Sequence, residues 1–391
     1  MGCGLCSSPV REVLDPDPGE ELYSLIIWYV QMQVLFKTLT SQFWSGTPTW
    51  SWLERHMGYS SSLLITCFLL LVVVLNVANG KPLVPALFIF GDSVVDSGNN
   101  NNLLTFVKAN FPPYGRDFKN HTPTGRFCNG KLAIDFIAET LGFTSYQPAY
   151  LNLEVKGKNL LNGANFASAA SGFFDFIPRM HNTIPFYRQL EYYQECQNKL
   201  VEIVGPSKAS SIISDAIYIV NDGSSDFVNY YMNPLLHNIY TRLYAMGARR
   251  IGVTSVAPMG CLPILITVFG SHNNECVDRL NNDSIYYNEK LNKTSENLRK
   301  TLPDIKLVVF DIYQPLYNLV DSPSDNGFSE VRRGCCGTGL LETAITCNNM
   351  SIGTCANASK YVFWDSVHPS EATNKILADS IVVAGIPLIM S

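Results

Sequence analysis

Positive charge is not in surplus in this chain: 28 Lys and Arg face 33 Asp and Glu, for a formal net charge of −5. Nor is there a stripe of basic residues interleaved with aromatics, the footprint of a nucleic-acid surface, so no nucleic-acid partner is expected. The adjacent Cys335 and Cys336 of "GCCGTG" lack the C-x-x-C spacing and have no histidine nearby, which argues against a structural zinc site. No internal repeat and no low-complexity linker interrupts the later sequence, so residues 81–391 read as one domain. Charged residues make up only 16% of the chain against 47% hydrophobic ones, and 391 residues are ample for a large core.

The sharpest compositional feature is "SSSLLITCFLLLVVVLNVANGKP", in which Leu63 to Leu75 carries no charge. That run is shorter than the roughly 20 residues of a membrane-crossing helix, and the small residues Ala78 and Gly80 come after it where a signal peptide would be cleaved. Residues 57–80 therefore read as a signal peptide beginning at Met57, with no stable membrane span. Residues 1–56 hold Trp28, Trp44, Trp50 and Trp52, a composition unlike that of the later domain. They read as an upstream extension, disordered or introduced by an alternative start. A signal-anchored membrane form, translated from Met1, is the alternative. The opening "MGCGLC" fits an acylation signal only loosely, since Cys6 stands where Ser or Thr is wanted.

Beyond that segment stand Cys128, Cys196, Cys261, Cys276, Cys335, Cys336, Cys347 and Cys355, an even set able to close disulfides in an oxidising compartment, with a connectivity that spacing does not reveal. Asn120, Asn282, Asn292, Asn349 and Asn357 each begin an N-x-Ser/Thr glycosylation acceptor. Signal, paired thiols and acceptors together point to a secreted protein, extracellular or in a cell wall.

Short apolar runs at 85–90, 215–220, 250–256, 305–310 and 361–364 read as strands, and because they are continuous rather than alternating, as strands buried on both faces. Between them, Leu132, Phe136, Ile137 and Leu141 fall near helical spacing with Gly142 as a stop, and Ser370 caps a final helix carrying Ala372, Ile376, Leu377 and Ile381. Alternating strands and helices imply an α/β fold with a parallel central sheet. Such sheets bind ligands beyond the carboxyl ends of their strands. Ser93 of "ALFIFGDSVVDSGNN" lies just past the first strand, although an ordinary turn would present a serine equally well.

A serine nucleophile needs a base, and the base an orienting carboxylate. Of the six histidines, only His368, in "VFWDSVHPS", has an aspartate three residues before it, Asp365. A tight turn brings that carboxylate to the imidazole, and the position after the last expected strand puts the pair at the sheet edge of Ser93. An N-capping turn with a surface histidine is the plainer explanation of D-x-x-H-P.

"FIFGDSVVDSGNNN", "GANFASAASG", "GSSDF", "GARRIGVTSVAPMGCLP", "RRGCCGTGLLE" and "YVFWDSVHPSEATNKILA" occur in the order and approximate spacing of the plant GDSL esterase/lipase family, a branch of the SGNH hydrolases that this chain resembles from about residue 83 to 390. The resemblance implies a three-layer α/β/α, flavodoxin-like fold and hydrolysis of carboxylic esters, of lipid or small acyl type, with no metal or organic cofactor. It makes Ser93 the nucleophile, with Val94 in place of the leucine that names the family, His368 the general base and Asp365 its orienting acid. It assigns the backbone N–H groups of Ser93 and Gly163 to the oxyanion hole.

Two departures stand out. The family pattern G-x-N-D becomes Gly223-Ser224-Ser225-Asp226, so the hydroxyl of Ser225 replaces an asparagine amide as the third oxyanion donor. Loss of such a donor typically costs about two to three powers of ten in turnover. Between Leu236 and "LYAMGARR" the chain also lacks roughly twenty residues, about five turns of helix, relative to the family. These departures motivate one alternative, a weakly active or inactive secreted binding protein; an acyltransferase using the same triad is another, which the sequence does not distinguish from a hydrolase.

Overall fold

The computed structural model of the chain describes residues 82–152, 157–172, 175–221, 223, 234–271 and 275–390. The upstream extension 1–56 and the signal segment 57–80 lie outside the described residues, as does Ser225.

Leu87–Gly91 (β1), Gly163–Asn165 (β2), Ile217–Asn221 (β3), Arg250–Thr254 (β4) and Lys306–Phe310 (β5) form a parallel sheet in the order β2-β1-β3-β4-β5. This is the flavodoxin-like order, and its direction of winding reverses between β1 and β3. Among the described residues the α-helices are Ala133–Thr140 (α1), Phe176–His181 (α2), Phe186–Val204 (α3), Pro206–Asp215 (α4), Pro234–Ala245 (α5), Pro263–Phe269 (α6), Asp278–Thr301 (α7), Tyr313–Asp321 (α8) and Glu371–Ile389 (α9).

The continuity of the apolar runs has a direct cause. In β1, Leu87 and Ile89 enter one apolar layer with Ile137 of α1, Leu316 of α8 and Leu377 of α9. Phe88 and Phe90 enter the other, with Leu190 and Tyr193 of α3, Ile212 of α4, Tyr240 of α5 and Leu298 of α7. Neither face meets water, so neither needs polar residues. Gly142 ends α1 at φ 84°, and the Ser370 side chain accepts the Thr373 N–H at the start of α9, both where the sequence predicts them. By length and composition α9 is apolar enough to cross a membrane, with a mean hydropathy of 1.4, but Leu377, Ala378, Ile381 and Leu388 are spent on the layer shared with α1 and β5.

The run 361–364 is not a strand. It makes only isolated bridges, Glu330 with Tyr361 and Phe363 with Pro369. Val362, Phe363 and Trp364 are fully buried all the same, because Val362 and Phe363 pack into the layer of α1 and Trp364 into a third cluster with Tyr114, Phe127, Cys335, Cys336 and Cys347. Conversely, β2 has no counterpart among the expected strands. Its three residues, Gly-Ala-Asn, carry no strand preference and are held by pairing with β1.

Of the eight downstream cysteines, six pair: Cys261 with Cys276, Cys335 with Cys355, and Cys336 with Cys347. Cys128 and Cys196 stay free because they are buried in the two different layers, on opposite faces of the sheet. Burial pushes the Cys196 thiol up to about 12 and the Cys128 thiol further, so both act as small apolar fillers rather than nucleophiles. Between β3 and β4, α5 supplies Ile239, Tyr240 and Leu243 to the sheet face.

Candidate active site

The site is built where β1 and β3 end, at the reversal of winding. Gly91 closes β1 with φ 145°, and a Cβ there would lie 1.8 Å from the Asn221 carbonyl oxygen, so only glycine lets β1 end this close to β3. Asp92 then donates its N–H to that carbonyl at 3.0 Å and accepts the Val94 N–H on Oδ1 at 3.0 Å. The turn lifts Ser93 out of the strand, half-buried, at the carboxyl edge.

His368 and Asp365 arrive from the turn before α9. The Ser93 Oγ lies 2.8 Å from His368 Nε2, across 275 residues of sequence. On the other side of the ring, His368 Nδ1 is 2.8 Å from Asp365 Oδ2 and 2.9 Å from Oδ1. Oδ1 also accepts the backbone N–H groups of Val367 and His368, at 2.9 and 2.7 Å, so the turn itself fixes the carboxylate against the ring. Asp365 is fully buried. Burial works to raise its pKa, but the His368 ring and these N–H donors prevail and hold the carboxyl below its ordinary value. The Phe127 ring packs 4.9 Å from the imidazole and excludes water from that flank.

Gly163, the second backbone donor expected for an oxyanion, is elsewhere. It starts β2 opposite Leu87, at the amino end of the sheet, and Leu87 to Gly91 alone spans roughly 13 Å. Its glycine identity has a structural reason, φ 98° and a Cβ position 2.0 Å from the Leu87 carbonyl oxygen. Further along the same pairing toward the carboxyl end, Phe166 N–H reaches the Ile89 carbonyl and Ser168 N–H the Gly91 carbonyl. Beyond Ser168 the chain turns, and two residues past the Gly91 pairing stands Ala170. It is half-buried, with φ 61°, a left-handed conformation rare for alanine. Its neighbours' N–H groups are taken, Ala169 by Asp96 Oδ2 and Ser171 by the Ser168 carbonyl, whereas those of Ala170 and Ser93 bond to nothing among the described residues. Ala170→Gly is expected to relieve the backbone and raise stability by about 0.5–1 kcal/mol, read from the denaturant midpoint.

Further residues brace this edge. Gln189 of α3 accepts the Gly91 N–H, donates to the Gly91 carbonyl and to Ser171 Oγ, all at 2.9 Å. Asn99 donates to the carbonyls of Asn165 and Ala167, and Asn100 to that of Ala169. Burial pushes the Asp96 carboxyl up to about 6 against three backbone donors, Gly98, Ala169 and Asn99. Asp96, Asn99 and Asn100 stand in the stretch "DSGNN" just beyond Ser93, but the sequence assigns them no partner, and Gln189 has no local signal at all. The five glycosylation acceptors, Asn120, Asn282, Asn292, Asn349 and Asn357, are all exposed.

Known proteins match this chain over most of its length. The family model described as GDSL-like Lipase/Acylhydrolase matches residues 87–381. The GDSL esterase/lipase At5g22810 of Arabidopsis thaliana is 55% identical over 359 residues, covering 86% of this chain and 98% of the relative. GDSL esterase/lipase APG of the same plant is 54% identical over 349 residues, covering 84% and 99%, and GDSL esterase/lipase EXL3 is 36% identical over 356 residues, covering 87% and 96%. In each, the matched length exceeds the part of this 391-residue chain that it occupies, so the relatives carry residues for which this chain has no counterpart.

Proposed function

The chain belongs to the GDSL-like lipase/acylhydrolase family and is a carboxylic ester hydrolase, and from that premise we propose that Ser93, His368 and Asp365 carry the reaction through an acyl-enzyme. The observation behind this reading is the 2.8 Å contact between Ser93 Oγ and His368 Nε2.

Ser93 Oγ attacks the carbonyl carbon of the ester as its proton passes to His368 Nε2. Asp365 accepts the Nδ1 proton in a hydrogen bond, fixes the tautomer that leaves Nε2 free to act as base, and stabilises the imidazolium that forms. The negative charge that develops on the carbonyl oxygen is met by the N–H groups of Ser93 and Ala170, with Ala170 in the role that the family resemblance gives to Gly163. Ser225, outside the described residues, is the third donor that the family resemblance assigns. Collapse of the tetrahedral intermediate breaks the C–O bond, and the imidazolium protonates the departing alcohol. Water then attacks the acyl-Ser93 ester, gives its proton to His368, and the carboxylic acid leaves with Ser93 restored.

The substrate is an ester of lipid or small acyl type, and no metal or organic cofactor enters this scheme. Three disulfides and five exposed glycosylation acceptors support a secreted enzyme, extracellular or in a cell wall. The test is covalent: an organophosphonate bearing a fluorophore is expected to label the purified protein at Ser93 alone, located by peptide mass, and the label to disappear after His368→Ala. Folded wild-type protein that takes up no label would overturn the assignment of the nucleophile.

A further inference from the structure

Asp365 receives more hydrogen bonds than its own turn supplies. While Oδ1 is occupied by two backbone N–H groups, Oδ2 accepts the Tyr114 hydroxyl at 2.8 Å and the Thr343 hydroxyl at 3.1 Å, besides facing the imidazole. We propose that Tyr114 and Thr343 are positioning residues for ester hydrolysis, their hydroxyls holding the Asp365 carboxylate in the orientation and charge distribution that His368 requires. This rests on the triad reading above.

The two donors come from segments far apart in sequence, each rigid for its own reasons. Tyr114 is fully buried, its ring edge-on to Phe111, Phe127 and Trp364. Burial, and then the negative charge of Asp365, push its phenol well above the ordinary value, so it remains a proton donor at every working pH. Thr343 stands in the loop closed by the Cys336–Cys347 disulfide. That loop is tied to the acid's own segment twice, by the Ser366 N–H on the Glu342 carbonyl and by the Cys336 N–H on the Trp364 carbonyl. A carboxylate with no exposure has no water to replace a missing donor, so each hydroxyl lost leaves part of its charge uncompensated.

Loss of either hydroxyl shifts the base in a definite direction. With less of its charge drawn toward the hydroxyls, the carboxylate binds the imidazolium more strongly, and the base protonates at higher pH. The acid limb of kcat/KM therefore moves upward. Among the described residues, the side chains bonded to Asp365 are His368 from its own turn, Tyr114 and Thr343. Arg116 lies over the Trp364 ring, the Glu342 carboxylate is turned to Thr338, and Asp96 bonds to backbone N–H groups beyond Ser93; none of these three bonds to Asp365. The nearby cysteines are in disulfides and do not titrate.

The test compares pH profiles of p-nitrophenyl acetate hydrolysis by the full chain as wild type, Tyr114→Phe, Thr343→Val, Thr343→Ser and Ser93→Ala. Tyr114→Phe and Thr343→Val are each expected to lower kcat about ten-fold, with KM nearly unchanged, and to raise the acid limb by about half a pH unit. Thr343→Ser, which keeps the hydroxyl, is expected to restore both. Thr343 is only partly buried, so its valine variant folds even if the loss of the buried phenol hydroxyl proves disruptive. An unmoved acid limb and unchanged kcat in Thr343→Val and in folded Tyr114→Phe, with only thermal stability lowered, would assign the hydroxyls a structural role and overturn the proposal. Full turnover in Ser93→Ala would instead overturn the triad reading itself, so the two failures are told apart.

Discussion

Ser93→Ala is expected to lower kcat for ester hydrolysis by about four to six powers of ten, with the melting temperature essentially unchanged. The size comes from the chemistry: without Oγ there is no acyl-enzyme, and His368 and the oxyanion donors retain only whatever help they give to direct attack by water. The stability is spared because Ser93 Oγ bonds to His368 Nε2 at a half-buried position outside the apolar layers. Steady-state assays with circular dichroism melting on the same samples check both halves. Residual turnover within a hundred-fold of wild type would mean that a different group is the nucleophile, since the other interactions at this edge are untouched.

Gly163→Ala is expected to act on the opposite quantity. A Cβ at this position meets the Leu87 carbonyl oxygen at 2.0 Å and requires an alanine at φ 98°, so β2 must part from β1. The cost is about 3 kcal/mol or more, because the β1–β2 pairing also carries the segment 166–171 along β1 to the site. Molecules that remain folded, counted by phosphonate titration, are expected to turn over at nearly the wild-type rate. A variant of wild-type stability with a turnover lowered a hundred-fold would return Gly163 to the oxyanion hole, against the register of the sheet.

The two predictions separate what glycine and serine identities mean in a motif. Ser93, Asp365 and His368 took their roles from the family motifs, since an ordinary turn accounts for the polar end of the first strand and an N-capping turn for D-x-x-H-P. Gly163 carried a family assignment onto a residue whose glycine serves strand packing. Ala170, two residues past the Gly91 pairing, gave no signal, since nothing in an alanine announces a left-handed backbone. The same limit applied to Tyr114, Thr343 and Gln189, which reach the site from distant segments with no spacing in common.

Strands were legible in proportion to how much of their own burial they carry. β1, β3, β4 and β5 each show in the sequence because the sheet takes side chains from both faces. The apolar stretch 361–364 looked the same and is not a strand; apolarity records removal from water, and here packing into the helix-covered layer and the third cluster removes it. β2 was illegible for the converse reason, a short edge strand of small and polar residues held by its neighbour.

By itself, then, the sequence determined the α/β class, the parallel sheet and the family, and through the family motifs it named the three side chains proposed for the chemistry, because patterns of burial and short local motifs are written in neighbouring residues. Only the tertiary structure decided which cysteines pair, where Gly163 falls along β1 and which hydroxyls reach Asp365. Those depend on strand register and on contacts between residues up to 275 positions apart, and a pairwise distance in space leaves no mark on either residue's neighbours in sequence.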